Sequence, residues 1–403
     1  MTDIERLFSE LLSFGLDWKV EKIQVNHSSK EVDIFLNFNK QVGIFPGSTD
    51  ELPIYDLSSL RRVRHLDVFD YTTYINFRTP RVKNESGDVR QINIGWVDSR
   101  VSYTYKFENK VIEALLMSKN QSKTAEFFDT TFDIVHIIML RAVERGLLRR
   151  NLSDMPALSI DEKSFGNGQK YLSVLSDPFQ KRVLDVIEGR KQENAEELIY
   201  CTLDPKVLEK VQLISMDMWD PFMNAAKELI PNAKIIHDKF HIAKIINKGV
   251  DEVRKREVKT RVELKNTKYI FPKKHEDLTQ NQVARFEIIN QLNLVTSQAW
   301  RLKENFNGIY HLGSKYSCLE YFAEWYVNTL KSQIKEMIKV ADTILRHLKG
   351  VINAANHQLS NSMAECINSQ IQTVKTVARG FKNFAGYRNA VLFFQGKLNL
   401  FPL

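Results

Sequence analysis

Two aspartates end runs of residues that otherwise belong inside a protein. Asp161 closes LSID and Asp217 closes LISMD. A charge at the end of a buried run is costly unless something compensates it, and two readings stay open for each residue: a metal ligand at a strand end, or a helix cap or turn residue. Glu365 lies in SNSMAECINSQIQTVKTVARGF, where Asn and Ser residues mark a helix start and Gly380 its end, so it falls about one turn into that helix. Open α/β sheets gather their sites at the carboxyl ends of strands. Three carboxylates meeting at such an edge supply the hard oxygen donors that Mg²⁺ or Mn²⁺ prefers, and two such ions clamp the attacking and leaving oxygens of a phosphodiester.

The elements that must position these acids follow from the alternation around them. ALSIDEKS, QKYLSVLSD and KRVLDVIEG read as three strands, the last two as a hairpin, because β-branched and apolar residues recur between Gly, Asn, Asp and Pro breaks. LDPKVLEKV then reads as a helix, QLISMD as a buried strand, DPFMNAAKELI as a helix capped by Asp220 with Pro221 at its first position, and AKIIHD as a further strand. The order β-β-β-α-β-α-β resembles an α/β ribonuclease-H-like mixed sheet, expected over 151–250 and 351–403. Between these segments, 251–350 is helical in pattern, in the stretches QVARFEIINQLNLVTSQAWRLKENFNGIY and CLEYFAEWYVNTLKSQIKEMIKVADTILRHL that follow the helix FHIAKIINKGVDEVRKREVK. It is expected to form a large α-helical insertion.

Ahead of this core, residues 1–105 alternate short β-type runs (VEKIQVNH, EVDIFLNF, HLDVFDYTTYINFRT, VRQINIGWV) with turn signals, which predicts a small β-rich unit. Arg61, Arg62, Arg64 and His65 lead into Phe69, Tyr71, Tyr74, Phe77 and Arg78; the aromatics read as alternating core positions, and the arginines as candidates for DNA-backbone contact. From 106 to 150 the period becomes helical. Ala125 and Phe128 share a face, Asp129 marks a turn, and Thr131 is placed to cap a helix carrying Ile134, Val135, Ile138 and Leu140. That spacing fits a helix-turn-helix whose second helix would present Phe132, Asp133, His136 and Ile137 to a major groove. It fits an ordinary helical hairpin as well. Arg141, Arg145, Arg149 and Arg150 add positive charge nearby, as do the segment Arg254–Arg261 and the tail residues Lys375, Arg379, Lys382, Arg388 and Lys397, although solvated helix faces explain such charges equally well.

Composition bounds the rest. The 403 residues carry 57 Lys plus Arg against 49 Asp plus Glu, a net charge of +8 that favours an anionic partner such as nucleic acid. Cys201, Cys318 and Cys366 stand far apart with no CxxC pair, and read as buried thiols of a reducing compartment. The amino terminus starts as an acidic amphipathic helix, unlike a signal peptide, and no uncharged run approaches the roughly 18 residues that span a bilayer. A cytoplasmic, nucleoid-associated protein with no membrane partner is expected.

Three blocks carry a family likeness. IDEKSFGNGQKYLSVLSDPFQKRVLDVIEGR, LISMDMWDPFMNAAKELIPNAKIIHDKFHIAKIIN and NSMAECINSQIQTVKTVARGFKNFAGYRNAVLFF resemble the catalytic blocks of insertion-sequence transposases of the ISL3 family, over roughly residues 10 to 400. The resemblance implies that Asp161, Asp217 and Glu365 form a DDE triad holding two Mg²⁺ or Mn²⁺ ions. It also implies that Asp238 and His241 of DKFH match an Asp-x-x-His element, whose histidine either braces the site or is structural. The implied activity is cleavage at terminal inverted repeats followed by transfer of the 3′-hydroxyl ends to target DNA. The partner is then double-stranded DNA, engaged by a homodimer or larger homo-oligomer. The amino-terminal unit departs from the family: FPGS and KNESG stand where zinc-binding CxxC pairs are usual, so no zinc is expected. A non-catalytic helix-turn-helix regulator and a ribonuclease-H-like nuclease or resolvase are the rival readings.

Overall fold

A computed structural model describes residues 2–402 except 165–170, 274–276, 358–361, 378–380 and 382, with backbone alone at 362–366 and 368. The chain divides into two compact units. One holds residues 1–150, 377–380 and 398–403; the other holds 151–376 and 381–397.

The first unit opens with helix α1 (Asp3–Leu12), started by a Thr2–Glu5 capping box. Strands β1 (Trp18–Asn26), β2 (Glu31–Phe38), β3 (Val42–Ile44), β4 (Glu51–Arg64) and β5 (Thr72–Lys83) form a sheet in the order β1-β2-β5-β4-β3, and β6 (Val89–Gln91) pairs with β5. All of these pairs are antiparallel except β2 with β5. One face of the sheet buries Trp18, Val20, Ile34, Val63, Ile75 and Phe77, and Phe14 stacks on Trp96 with ring centroids 4.2 Å apart. The strand β4 was not among the expected ones. Its apolar residues face both ways, with Tyr55, Leu57 and Leu60 exposed, which blurs the alternation that marks a half-buried strand. The expected strand beginning at His65 starts only at Thr72, since 65–71 form the connection, and Phe69 is 95% exposed in a left-handed turn (φ 58) rather than in the core.

Three helices follow: α2 (Tyr105–Ser118), α3 (Gln121–Phe127) and α4 (Phe132–Arg149). Asp129 takes a left-handed conformation (φ 45) between α3 and α4, and the Thr131 hydroxyl accepts the Ile134 N–H at 3.3 Å as the N-cap. Ala125, Val135, Ile138, Met139, Ala142 and Val143 are buried between the helices. Leu140, expected among them, is 40% exposed, and Met139 takes the inward position. The segment 398–403 belongs to this unit. Arg145 donates to the Leu400 carbonyl and pairs with the fully buried Glu108, while Arg149 donates to the Phe401 carbonyl at 2.7 Å.

The second unit is built on a five-stranded sheet of β7 (Ala157–Ser164), β8 (Tyr171–Asp177), β9 (Arg182–Glu188), β10 (Leu213–Met216) and β11 (Lys234–His237), in the order β11-β10-β7-β8-β9. β7, β8 and β9 form an antiparallel meander, whereas β10 is parallel to both β7 and β11. Two helices, α5 (Gln192–Thr202) and α6 (Pro205–Leu208), connect β9 to β10 where one was expected, and α7 (Asp220–Leu229) connects β10 to β11. Trp219, not Asp220, is the N-cap of α7; Asp220 lies inside the first turn beside Pro221. Leu158, Ile160, Leu175, Leu184, Ile199, Ile214 and Phe222 form the core between sheet and helices.

Helices α8 (Lys239–Glu257), α9 (Gln280–Gln291), α10 (Val295–Phe306), α11 (Lys315–Lys331), α12 (Lys335–Arg346) and α13 (Leu348–Asn356) share a second core of Ile246, Val253, Phe286, Phe306, Phe322, Trp325 and Ile344. The two long expected helices are each broken, at Asn293 (φ 46) and at Gln333 (φ 57), where a left-handed residue reverses the chain. α13 lies along β11: Asn353 Nδ2 donates to the Ile235 carbonyl at 2.9 Å. A Cβ on Gly350 would stand 2.3 Å from the His237 ring, so only glycine permits that approach. Helix α14 (Ser362–Val377) follows, and α15 (Phe384–Gln395) is tied to β9 by a two-pronged Arg388–Asp185 ion pair at 2.7 and 2.5 Å.

Candidate active site

The sheet brings two of the three candidate acids together. In the parallel pairing of β10 with β7, Ser215 lies opposite Ser159; two residues further along each strand stand Asp217 and Asp161. Asp161 is still within β7, opposite Val174 of β8, and its Oδ1 accepts the Glu162 N–H at 2.8 Å. Asp217 is the first residue past β10. The sheet core up to Ile160 and Met216 is closed to solvent, and both carboxylates emerge where it ends.

Electrostatics mark Asp217. Its Oδ1 is buried without a hydrogen-bond partner among the described residues. Burial pushes its carboxyl up to about 6; His241 pulls it back, the negative charges of Asp161 and Glu162 push it further, and the Trp219 N–H draws it down. An acceptor oxygen that is buried, unpartnered and crowded by like charge is what a divalent cation would satisfy, and the donors are of the hard oxygen type that Mg²⁺ or Mn²⁺ takes. Among the described residues, no group of three or more His, Cys, Asp or Glu side chains is arranged to hold a metal ion. Glu365 lies on α14, early in the helix, but its side chain is outside the described residues.

The flanks of this edge were only partly foreseen. Asp238 is buried and caps α8 by accepting the Phe240 N–H at 2.8 Å. His241, one turn on, holds Nε2 3.7 Å from Asp238 and exerts its charge on Asp217. Sequence reasoning missed Arg190. Its guanidinium lies 3.9 Å from the Tyr171 ring centroid and 5.1 Å from that of Trp219, and pairs with Glu162 at 3.1 Å. Trp219 Nε1 donates to the Arg190 carbonyl at 3.0 Å. The signal was Gly189 (φ 106) at the end of β9, a turn that throws the next side chain back over the sheet edge.

Residues 158–391, more than half the chain and including all three acids, match the model of a transposase family, ISL3. The chain belongs to the ISL3 family of DDE transposases. It is 23% identical over 335 residues to the transposase for insertion sequence element IS1001 of Bordetella parapertussis, covering 81% of this chain and 82% of that one. It is 22% identical over 359 residues to the transposase for insertion sequence element IS1557 of Mycobacterium tuberculosis, covering 81% of this chain and 79% of that one.

Most of the transposase's candidate DNA-contact arginines in the first unit are engaged internally. Arg64 is buried and bonds Asp67 and the carbonyls of His65, Thr73 and Phe128. Arg61 bonds the carbonyls of Asp98 and Val101. Arg62 pairs with Asp33 at 2.8 Å and stacks 3.4 Å over Tyr74; Arg78 donates to the Ser58 carbonyl at 3.1 Å. Arg141 pairs with Asp98 at 2.7 Å, and Arg145 and Arg149 hold the 398–403 segment. In the second unit Arg254 is buried against Asp251 and Arg256 pairs with Glu336. Lys397 donates to the Gln180 carbonyl at 2.7 Å. Lys375 is half-buried, and Arg379 and Lys382 lie outside the described residues. Phe132 and His136 are stacked at the start of α4, 5.8 Å apart. Cys201 is exposed, against expectation, because α5 turns it outward; Cys318 is buried, and the Cys366 side chain is outside the described residues. Among the described residues, no helix is long and apolar enough to cross a membrane.

Proposed function

We propose that this transposase cuts DNA at the terminal inverted repeats of an insertion sequence and joins the freed 3′-hydroxyls to target DNA, using Asp161, Asp217 and Glu365 as its metal-holding carboxylates. The observation that carries the reading is the parallel β7–β10 register that sets Asp217 beside Asp161, with Asp217 Oδ1 buried and unpartnered. Two further features support it: the strand order β11-β10-β7-β8-β9, with an antiparallel meander beside two parallel strands, matches a ribonuclease-H-like sheet, and α14 begins three residues before Glu365. Two bound Mg²⁺ or Mn²⁺ ions would neutralise the scissile phosphate and make a hydroxyl nucleophilic at neutral pH.

The chain's own residues do the positioning. Asp161 stays fixed within β7, and Asp217 is held by β10, which it follows directly. His241 offsets the charge gathered around Asp217, and Asp238 fixes the helix that carries His241. Arg190, held between Tyr171 and Trp219, places a cation beside Glu162 at the edge where a phosphate backbone would pass. No protein nucleophile is required, since each step is an in-line phosphoryl transfer with a 3′-oxygen as leaving group, to water in the cutting step and to a freed 3′-hydroxyl in the joining step.

The first unit is the part we assign to reading the ends, as a β-rich subdomain (1–105) and a helix-turn-helix (106–150). Support comes from the short α3, the left-handed Asp129 turn and the Thr131-capped α4. The helices of 251–350 form an insertion in the catalytic core, and action on two ends calls for a homodimer or larger homo-oligomer on DNA.

The test is incubation of the purified protein with Mg²⁺ and a duplex carrying the inverted repeats that flank its coding sequence, together with a plasmid target. Nicks at the repeat boundary and covalent joining of 3′-hydroxyl ends to the plasmid are expected. Cleavage without joining would favour a nuclease, and no cleavage in Mg²⁺ or Mn²⁺ would favour a non-catalytic DNA-binding protein.

A further inference from the structure

The face that α4 would offer to DNA is unusual in its chemistry. From Phe132 to Leu140 it contains no Arg, Lys, Asn or Gln. The three arginines within α4 point to internal partners: Arg141 to Asp98, Arg145 to Glu108 and the Leu400 carbonyl, and Arg149 to the Phe401 carbonyl. The outward side chains of the first turns are instead Phe132, Ile137 and Leu140, at 46%, 45% and 40% exposure, with Asp133 beside them. His136 is stacked on Phe132, and its Nδ1 is bonded to Gln121 Oε1 at 3.0 Å, which ties α3 to α4.

Base edges in the major groove are read by a short list of groups: guanidinium or ammonium on guanine O6 and N7, a carboxamide on adenine N6 and N7, a carboxylate on the cytosine amino group, and an apolar group on the thymine methyl. The first two are absent from this surface. Building on the helix-turn-helix assignment above, we propose that α4 reads the transposon ends mainly by apolar contact of Ile137 and Leu140 with thymine C5 methyl groups, so that the recognised sites are rich in A·T pairs. The spacing fits. Ile137 and Leu140 are three residues apart and so lie on one helix face, and Phe132 precedes Ile137 by about one and a half turns, at the helix start that enters the groove first. Affinity for the backbone must then come from outside the α4 face, with half-buried Lys119 and exposed Lys123 around α3 as the nearest candidates.

Removing a methyl without touching base pairing isolates this contact. Duplexes selected by the full-length protein from a randomised pool are remade with each thymine replaced in turn by deoxyuridine, and binding is titrated for the wild type, Ile137→Ala and Leu140→Ala. Both side chains are exposed, so the variants keep the fold. The selected sites are expected to be A·T-rich. One or more uracil substitutions should weaken wild-type binding about fourfold each, the value of one buried methyl, and the matching alanine variant should no longer distinguish thymine from uracil at that position. If the variants bind more weakly but uracil has no effect anywhere, α4 touches DNA without reading methyl groups, and the inference is overturned while the helix-turn-helix assignment stands. If both variants select and bind DNA as the wild type does but lose self-association, the apolar face is a contact between copies of the chain, and the assignment of α4 to DNA falls with the inference.

Discussion

At the scale of single residues, position within a strand was easier to read than partnership. Asp161 and Asp217 were legible because each ends a run too apolar to lie at the surface, and the sheet sets both where burial stops. The arginines were not legible as structural residues, because their partners lie far off in sequence: Arg61 and Arg141 reach Asp98, and Arg145 reaches Leu400. His65 is another such residue. It is 5% exposed, its Nδ1 lies 2.8 Å from the Thr104 hydroxyl, and burial, followed by the positive charges of Lys106 and Arg64, lowers its pKa from 6.5 to about 4. The folded protein therefore binds this proton more weakly than the unfolded chain. Above pH 6.5 the imidazole is neutral in both states and costs nothing. As pH falls from 6.5 to 4 the unfolded chain takes up the proton first, which removes about 3 kcal/mol of stability. Denaturant unfolding of wild type and His65→Asn between pH 7 and pH 4 should show a shallower loss in the variant. Equal pH slopes would mean that His65 is not the group responsible.

Elements were read well where one period prevailed and poorly where two competed. The strands β7 to β11 stood out, but β4 hid because it shows apolar residues on both faces, and the breaks at Asn293 and Gln333 hid because the apolar pattern runs on past both and Gln is not a customary helix terminator. Nothing in α4 indicates that a distant segment packs on it, yet Gly146 makes that packing possible: a Cβ there would stand 2.6 Å from Leu398 Cβ. Two effects oppose each other in Gly146→Ala. Helix propensity favours alanine by about 1 kcal/mol, while forcing a methyl into an occupied contact costs about 1–3 kcal/mol. The clash should win, because the segment after Leu398 is fixed by Arg145 and Arg149 and cannot simply move aside. The expected outcome is a lower unfolding midpoint and faster protease cleavage after residue 397; a raised midpoint would show that propensity decides.

On the scale of the whole molecule, the proposed chemistry and the proposed reading of DNA are divided between units that the chain does not visit in simple succession. All three acids belong to the second unit, α4 belongs to the first, and the chain returns to the first at 377–380 and 398–403. The change from strand to helical period near residue 105 was legible in the sequence, but these returns were not, because so few residues carry too little pattern to reveal what they pack against. The net charge of +8 also told less than it promised, since many of the arginines that make it up are paired inside the fold. What the division requires is that cutting and binding be separable. In the proposed account, DNA affinity comes from basic contacts spread over the surface, whereas the in-line chemistry would depend on the carboxylates of Asp161, Asp217 and Glu365. The decisive measurement compares Asp161→Asn, Asp217→Asn and Glu365→Gln with the wild type, scoring strand cleavage in Mg²⁺ and binding affinity on the same end duplex. The account predicts that each variant loses at least about a thousandfold in cleavage rate, about 4 kcal/mol of transition-state stabilisation, while its Kd stays within a few-fold of the wild type. Cleavage at the wild-type rate by any one of the three would contradict it.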